Sequence, residues 1–471
     1  MSTVHTHGFE LLRRRSSGRA AAARRASGML ALGAAVVISS AGASHASPSP
    51  AAPASTPAAA QIPAGNVGAL IKFVSTHPAQ YSGIYLDLAT HHYVVAVPDG
   101  QSAPSALSKA VSGLPQQSVT AHASASQVAV TTVQETRSLA QLRKIESQVA
   151  QAHGTFGALA KTLIAQWGLN EQTNTVEVGV TRLDPALLAA AKQTYGDSVH
   201  VSQVQRAHFA DSELPLAHSS ASRPGGAAAD PASRLLDGQP YSAGDRIGYI
   251  HGNIVTQCTS GWIAGVRGGS QTGHDYMFTA GHCFPQGTVV QQGSCTMVDG
   301  GCSWQYTGTV GTVNDVQYGD GRMDWLSIDP AGSGSLQQML YLGGVDSTSG
   351  VAEYDLVSSA LNEPVCTDGS FTGESCNGTV DATEGCIELS DDSGNQINVC
   401  NQDFATSPGP RLVQHGDSGG PVLGDDGGSD ATGIAVGVIS GGNVGTDADP
   451  GPGTELNFTD GGDICNANGE C

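Results

Sequence analysis

An α+β first half followed by an all-β second half is the architecture this sequence predicts, and three observations predict it. The chain of 471 residues holds 62 Gly but is only 5% aromatic and 13% charged, a profile of tight turns and short strands rather than long helices. From about Asp237 onward, short β-like runs alternate with Gly, Asp, Asn and Ser, and helical periodicity almost disappears. All ten cysteines lie between 258 and 471. The second half therefore has a covalent framework that the first half lacks.

Charge draws the same boundary. Residues 1–236 hold 17 basic and 12 acidic residues, net +5. Residues 237–471 hold 4 basic and 30 acidic residues, net −26, which together give the chain's −21. Two halves so different read as separate units that attract each other. The overall negative charge excludes nucleic acid and anionic membrane as partners, because both repel an acidic surface.

Taken in order, Arg13–Arg15 and Arg24–Arg25 precede an apolar run from Met29 to Ala43. Ser44-His45-Ala46 then offers a small-residue cleavage site, with Ala41-Gly42-Ala43 as competitor. Residues 1–46 thus read as a secretory signal and the protein as extracellular. The apolar run is too short for a stable membrane span. Residues 47–65 are an Ala/Pro/Ser linker. Val67 to Thr76 reads as a short helix, and Ile84–Leu88 with His92–Val97 as a hairpin. Ser138 to Trp167 carries a long helical pattern. Val176–Val180, Pro185–Tyr195 and Val199–Val204 read as strand, helix and strand. Residues 217–236 return to Ala, Ser, Gly and Pro, and Arg223 and Arg234 are expected to stand exposed there, in a junction open to proteolysis.

In the second half, ten cysteines without a CxxC pair indicate disulfides rather than zinc, and so an oxidising compartment. Near-neighbour bridges Cys295–Cys302, Cys366–Cys376, Cys386–Cys400 and Cys465–Cys471 are expected. The acidic runs Asp391–Asp392, Asp425–Asp426 and Asp447–Asp449 fit no calcium-loop spacing and read as solvated surface. No metal and no cofactor are expected.

Two motifs carry chemistry: Thr279-Ala280-Gly281-His282-Cys283, and Gly416-Asp417-Ser418-Gly419-Gly420-Pro421. A serine hydroxyl is a poor nucleophile at neutral pH and needs an adjacent base, and His is the side chain whose pKa lies nearby. The Gly-rich turn at Ser418 lets the backbone approach a substrate closely. It also allows the Gly416 and Ser418 amides to point at one developing oxyanion.

Both motifs, with His before Ser, resemble those of the chymotrypsin family of serine proteases over residues 237–471. The resemblance implies two six-stranded antiparallel β-barrels and a peptidase with protein or peptide substrates. It makes Ser418 the nucleophile and His282 the proton shuttle, and it ties Cys258 to Cys283. The third triad member should be an Asp between the motifs. Asp324 in Arg322-Met323-Asp324-Trp325-Leu326 precedes an alternating apolar run and is preferred to Asp315, Asp320 and Asp329.

Val438-Ile439-Ser440-Gly441-Gly442 resembles the substrate-pairing strand of secreted bacterial members such as the streptogrisins. Ser440, Gly441 and Gly442 would then line the specificity pocket. Leu412 stands where trypsin-like members carry an Asp, so the pocket floor is expected to be apolar and to favour bulky apolar side chains. Gln414 replaces a usual pocket cysteine. Trp167–Val204 is similar to the pro-regions of α-lytic protease and the streptogrisins, which implies that 47–236 is a linker and pro-segment. It would assist folding, inhibit the active site and be removed, so that the chain's own pro-segment is its partner. A Gly-rich all-β chain with non-local contacts folds slowly enough to need that help. The mature protein is expected to be a monomer. After Phe458 the sequence gives no sign of the helix that often closes this fold. His251, His274 and His415 read as surface or core filler. A catalytically silent binding homologue and a secreted esterase are the competing readings. The esterase is disfavoured because Ser418 does not sit in a G-x-S-x-G elbow ahead of the His.

Overall fold

The structure, a computed structural model, describes residues 59–112, 114, 127–151, 160–217, 233–265, 275–319, 321–332, 334–390, 394–424, 433–444 and 451–468. The expected signal, the three acidic runs, Arg223, His274 and Asp320 lie outside the described residues. Among the described residues no helix is long and apolar enough to cross a membrane.

Residues 59–112 and 127–135 build a four-stranded sheet in the order Ala60–Pro63, Gln127–Glu135, His92–Pro98, Gly83–Asp87. Helices Val67–Ser75 and Ala103–Ser112 accompany it. Leu70, Val74, Val95, Val97, Leu107 and Val130 form one buried cluster between the layers. Gly83–Asp87 and His92–Pro98 form the expected antiparallel hairpin.

The long helical pattern from Ser138 to Trp167 is only partly realised. A helix spans Leu139–Gln151, but Ile164–Asn170 is a strand, with Trp167 buried in it. The reason is tertiary. This strand is zipped to Thr175–Val180 on one side and to Gly373–Ser390 on the other, and such pairing overrides a local helical pattern. Helix Pro185–Tyr195 follows, its first turn capped by Asp184, whose carboxylate accepts the amides of Ala186 and Leu187.

Residues beyond 237 are mostly strand and lie in two sheets, each of which recruits strands from the first half. Ser212–Pro215 joins the eight-stranded sheet by pairing with Ile254–Gln257. Ile164–Asn170, Thr175–Val180, Val199–Gln203 and His208–Phe209 join the thirteen-stranded sheet. Without the recruited strands the residues beyond 237 still supply seven strands to one sheet and nine to the other, against the six and six that the resemblance implied.

Two further expectations are corrected. A helix does close the chain, at Gly461–Asn468. Its two leading glycines hide it in the sequence, but Asp460 accepts the Asp463 amide at 3.0 Å and starts it. Arg234 is not exposed either; it is fully buried. Its guanidinium donates to Asp368 Oδ2 at 2.6 Å and to the carbonyls of Tyr341 and Gly369. Its own carbonyl accepts the Arg246 amide. The chain at Arg234 is thus docked into the second half, because a buried guanidinium needs a carboxylate and Asp368 supplies it.

Cys258–Cys283, Cys295–Cys302, Cys366–Cys376 and Cys386–Cys400 are disulfide-bonded. Cys465 is also in a disulfide, and its expected partner Cys471 lies outside the described residues.

Candidate active site

Strand register brings His282 and Asp324 together. Strand Asp275–Thr279 leads to His282, and strand Trp325–Pro330 starts directly after Asp324. The two strands pair antiparallel with Thr279 opposite Leu326. The residues just beyond Thr279 therefore meet those just before Trp325. Asp324 is fully buried. It accepts the His282 backbone amide on Oδ1 at 2.9 Å and faces the ring Nδ1 with Oδ2 at 2.8 Å. The Cys258–Cys283 bridge ties the residue after His282 to the neighbouring strand Ile254–Thr259. Two contacts on Asp324 fix both the position and the tilt of the imidazole.

Ser418 comes from the other sheet. It sits in the turn before strand Pro421–Gly424, and its Oγ lies 2.7 Å from His282 Nε2. The turn is anchored by the buried carboxylate of Asp417, which accepts the amides of Gln414, Phe371 and Thr372 and the Thr372 hydroxyl. Gly416 has φ of +94°, and a Cβ there would lie 2.2 Å from the Phe371 ring, so glycine is required. The Arg246 guanidinium stacks 3.6 Å from the centre of the same ring. Phe371 and Arg246 thus support the turn, a role that nothing local in the sequence announced.

The Gly416 and Ser418 amides converge on one acceptor, the carbonyl of Ala210, at 2.5 and 3.1 Å. His208–Phe209 runs antiparallel to the strand ending at Gly442, with Phe209 opposite Gly441 and His208 opposite Gly442. The Ala210 amide donates to the Ser440 carbonyl at 3.4 Å. A Cβ at Gly441 would lie 2.1 Å from the His208 carbonyl oxygen, so this approach also needs glycine. Phe209 packs on the His282 ring, with centroids 4.3 Å apart. Ser418 and the His282 side chain are consequently almost inaccessible. Leu412 is fully buried, with its carbonyl accepting from Thr367, and it packs in one cluster with Ala210, Val413 and Ile439. His415 is half-buried, and its Nδ1 lies 2.8 Å from the Asp211 carbonyl.

Among the rivals to Asp324, Asp315 caps the Val316 amide on its own strand, and Asp329 stands on strand Trp325–Pro330, four residues beyond the start of that strand. The structure places only Asp324 against His282. Among the described residues no cluster of metal-ligating side chains occurs.

Burial opposes the imidazolium of His282, but the charge and hydrogen bond of Asp324, with a smaller contribution from Asp211, raise its pKa overall. A base must be neutral to accept a proton, so a raised pKa moves the acid limb of activity upward. We expect kcat/KM to climb with pH through a range above that of a free histidine, and Asp324→Asn to lower the pKa that governs this limb. A pH–rate profile of the two proteins checks this.

No protein-family model matches the chain, and no curated protein matches it in sequence. Solved structures of bacterial serine proteases are similar to half of it. Thermobifida fusca Protease A is 21% identical, with 49% of this chain and 97% of that one covered and a TM-score of 0.33. Nocardiopsis Protease is 19% identical, with 49% and 98% covered and a TM-score of 0.35. The chymotrypsin of Cellulomonas bogoriensis is 22% identical, with 49% and 97% covered and a TM-score of 0.32.

Proposed function

We propose that this chain is a secreted serine endopeptidase made as an inactive precursor. The observation that carries the reading is the hydrogen-bonded line Asp324–His282–Ser418 ending beside two amides that grip a carbonyl oxygen. Ser418 Oγ attacks the substrate carbonyl carbon while His282 Nε2 takes its proton. Asp324 holds the ring and favours the cation that forms. The Gly416 and Ser418 amides bind the tetrahedral oxyanion, and His282 returns the proton to the departing amine. Water then repeats the sequence on the acyl-enzyme. Ser440, Gly441 and Gly442 pair with the substrate backbone, and Leu412 stands behind the pocket.

A fluorophosphonate probe tests the reading directly. Stoichiometric label on Ser418, absent in His282→Ala, is expected once the N-terminal half has been removed. No label on folded protein in that state would overturn the assignment in favour of a silent binding homologue. Parallel assays on peptide and ester substrates separate a peptidase from an esterase.

In this reading the pro-segment expected over 47–236 is docked on the second half, and its residues 208–210 fill the site. The contact between the halves includes a cavity of about 440 Å³ lined by Arg143, Glu146 and Glu171 on one side and Glu384, Asp403, Asp460 and Asp463 on the other. Arg143 pairs with Glu384 at 2.6 Å. Burial pushes the Glu171 carboxyl up to about 8, against a hydrogen bond from Thr383 and with Glu384 adding to the rise. Burial also raises Asp403, Asp460 and Asp463. Separation of the halves would return Glu171 to its ordinary value near 4.5. A carboxyl whose pKa is higher in the docked state favours docking below the free value, and that contribution is lost as pH rises from about 4.5 to 8. After the chain is cut, the two pieces should therefore stay together at pH 5 and part at pH 8 on size-exclusion chromatography, and Glu171→Gln should weaken that dependence.

A further inference from the structure

We propose that the Ala210–Asp211 peptide bond is a substrate of this chain's own active site and is where the precursor is cut. The inference rests on the endopeptidase reading and deepens it. Three features place this bond as a substrate bond. Its carbonyl oxygen accepts both the Gly416 and Ser418 amides, the two donors aimed at a developing oxyanion. The residues before it, His208 and Phe209, form an antiparallel strand with Gly442 and Gly441, and the Ala210 amide continues the pairing to Ser440. The residues after it are held as firmly. His415 meets the Asp211 carbonyl, Ser212–Pro215 pairs with Ile254–Gln257, and the Leu216 and Ala217 amides donate to Asn253 and Cys302. The bond thus runs from one sheet to the other, with its carbonyl on the Ser418 amide and the preceding Phe209 ring on His282. Such fixation supplies the proximity that a bimolecular encounter would have to find.

The step balances without any outside reagent but water. Ser418 Oγ bonds to the Ala210 carbonyl carbon and its proton passes to His282. The carbon–nitrogen bond to Asp211 breaks, and His282 gives the proton to the new Asp211 amine. Water then releases the Ala210 carboxylate and restores Ser418.

Two consequences follow for the product. The new N-terminus lies well upstream of the compositional boundary near Asp237. Residues 211–217 stay on the eight-stranded sheet, in keeping with an Arg234 that is buried in the second half and out of reach of a protease. The pocket that receives the cut side chain holds a methyl group. Ala210 is fully buried among Val413, Ile439, Val444 and Phe458. Cleavage should therefore prefer a small residue before the bond, not the bulky apolar one that Leu412 suggested from sequence.

The test refolds the purified full-length chain and follows intact mass and N-terminal sequence over time, with fluorophosphonate labelling of the same samples. A first cut between Ala210 and Asp211, at a rate unchanged over a 100-fold dilution, is expected. Ser418→Ala should remain one chain. Ala210→Ser should be cut within tenfold of the wild-type rate, and Ala210→Trp at least 100-fold more slowly. Because Ala210→Trp tests packing as well, an Ala-Asp and a Trp-Asp peptide, each preceded by His-Phe, are compared on the mature enzyme and should differ in the same direction. A labelled Ser418 with the first cut elsewhere, or with the chain left whole, would overturn this inference while leaving the endopeptidase reading intact. A chain left whole and unlabelled would overturn this inference too, and the presence or absence of label on residues 211–471 freed of residues 1–210 then decides the endopeptidase reading.

Discussion

Ser418→Ala and His282→Ala are each expected to lower kcat by about a million-fold, with the double variant no worse than either single one. The two side chains act as one unit. Without the 2.7 Å contact between Oγ and Nε2 there is either no nucleophile or no base, and losing the second adds nothing. Asp324→Asn should cost about ten-thousand-fold, because the amide cannot hold the ring tautomer that leaves Nε2 free to accept a proton. What survives, about a thousand-fold or more over water, would come from the Gly416 and Ser418 amides. The comparison must be made on protein freed of the N-terminal half, since Phe209 covers His282 in the intact chain. Expressing residues 1–210 and 211–471 as separate chains and parting them at pH 8 provides that protein, and steady-state kinetics on a peptide with alanine before the scissile bond reads the effect. A Ser418→Ala protein retaining a tenth of wild-type activity would remove the serine mechanism.

The parts of this site that were legible in the sequence are those whose chemistry is written in a short run of residues. His282 and Ser418 each sit in such a run. Asp324 was readable because it opens a strand, and the Cys258–Cys283 pair came with the resemblance. The remainder was hidden because it depends on which strands meet. Nothing near Ala210 marks it, since its position follows from His208–Phe209 pairing with a strand more than two hundred residues later. His415 carries no local sign of its partner, Asp211, which is brought close only by that same pairing. The first half shows the same division. Val67–Ser75 has local periodicity, Pro185–Tyr195 has its Asp184 cap and leading proline, and both were readable. Trp167 followed a helical pattern and yet lies in a strand, because two neighbouring strands offered it hydrogen bonds and burial. Arg234 was misread for the opposite reason: it stands beside a Gly- and Ala-rich stretch, but its carboxylate partner, Asp368, lies far along the chain.

That buried pair carries the largest stability effect we expect. Asp368→Ala should destabilise residues 211–471 by about 3–5 kcal/mol, because it leaves the Arg234 guanidinium buried without a counter-charge. Arginine cannot shed its proton to escape this cost. The reverse change is gentler. Burial pushes the Asp368 carboxyl up and Arg234 pulls it back, which leaves it raised to about 7. When Arg234 is replaced by Met, the carboxyl is free to take a proton and stay buried as a neutral acid. Arg234→Met should therefore cost clearly less than Asp368→Ala, and the two changes together less than the sum of the two singles, since neither charge remains to be desolvated. Denaturant unfolding of the mature protein, with unfolding rates recorded beside midpoints, separates the three. The ordering has a functional reading too. The carbonyl of Gly369, which follows Asp368, accepts from Arg234, and that of Ser370 accepts from Arg246. Phe371 and Thr372 then hold the Asp417 carboxylate that sets the Ser418 turn. Loosening Asp368 should thus reach the oxyanion donors through four consecutive residues, and Asp368→Ala should lower kcat more than KM even at temperatures where it remains folded.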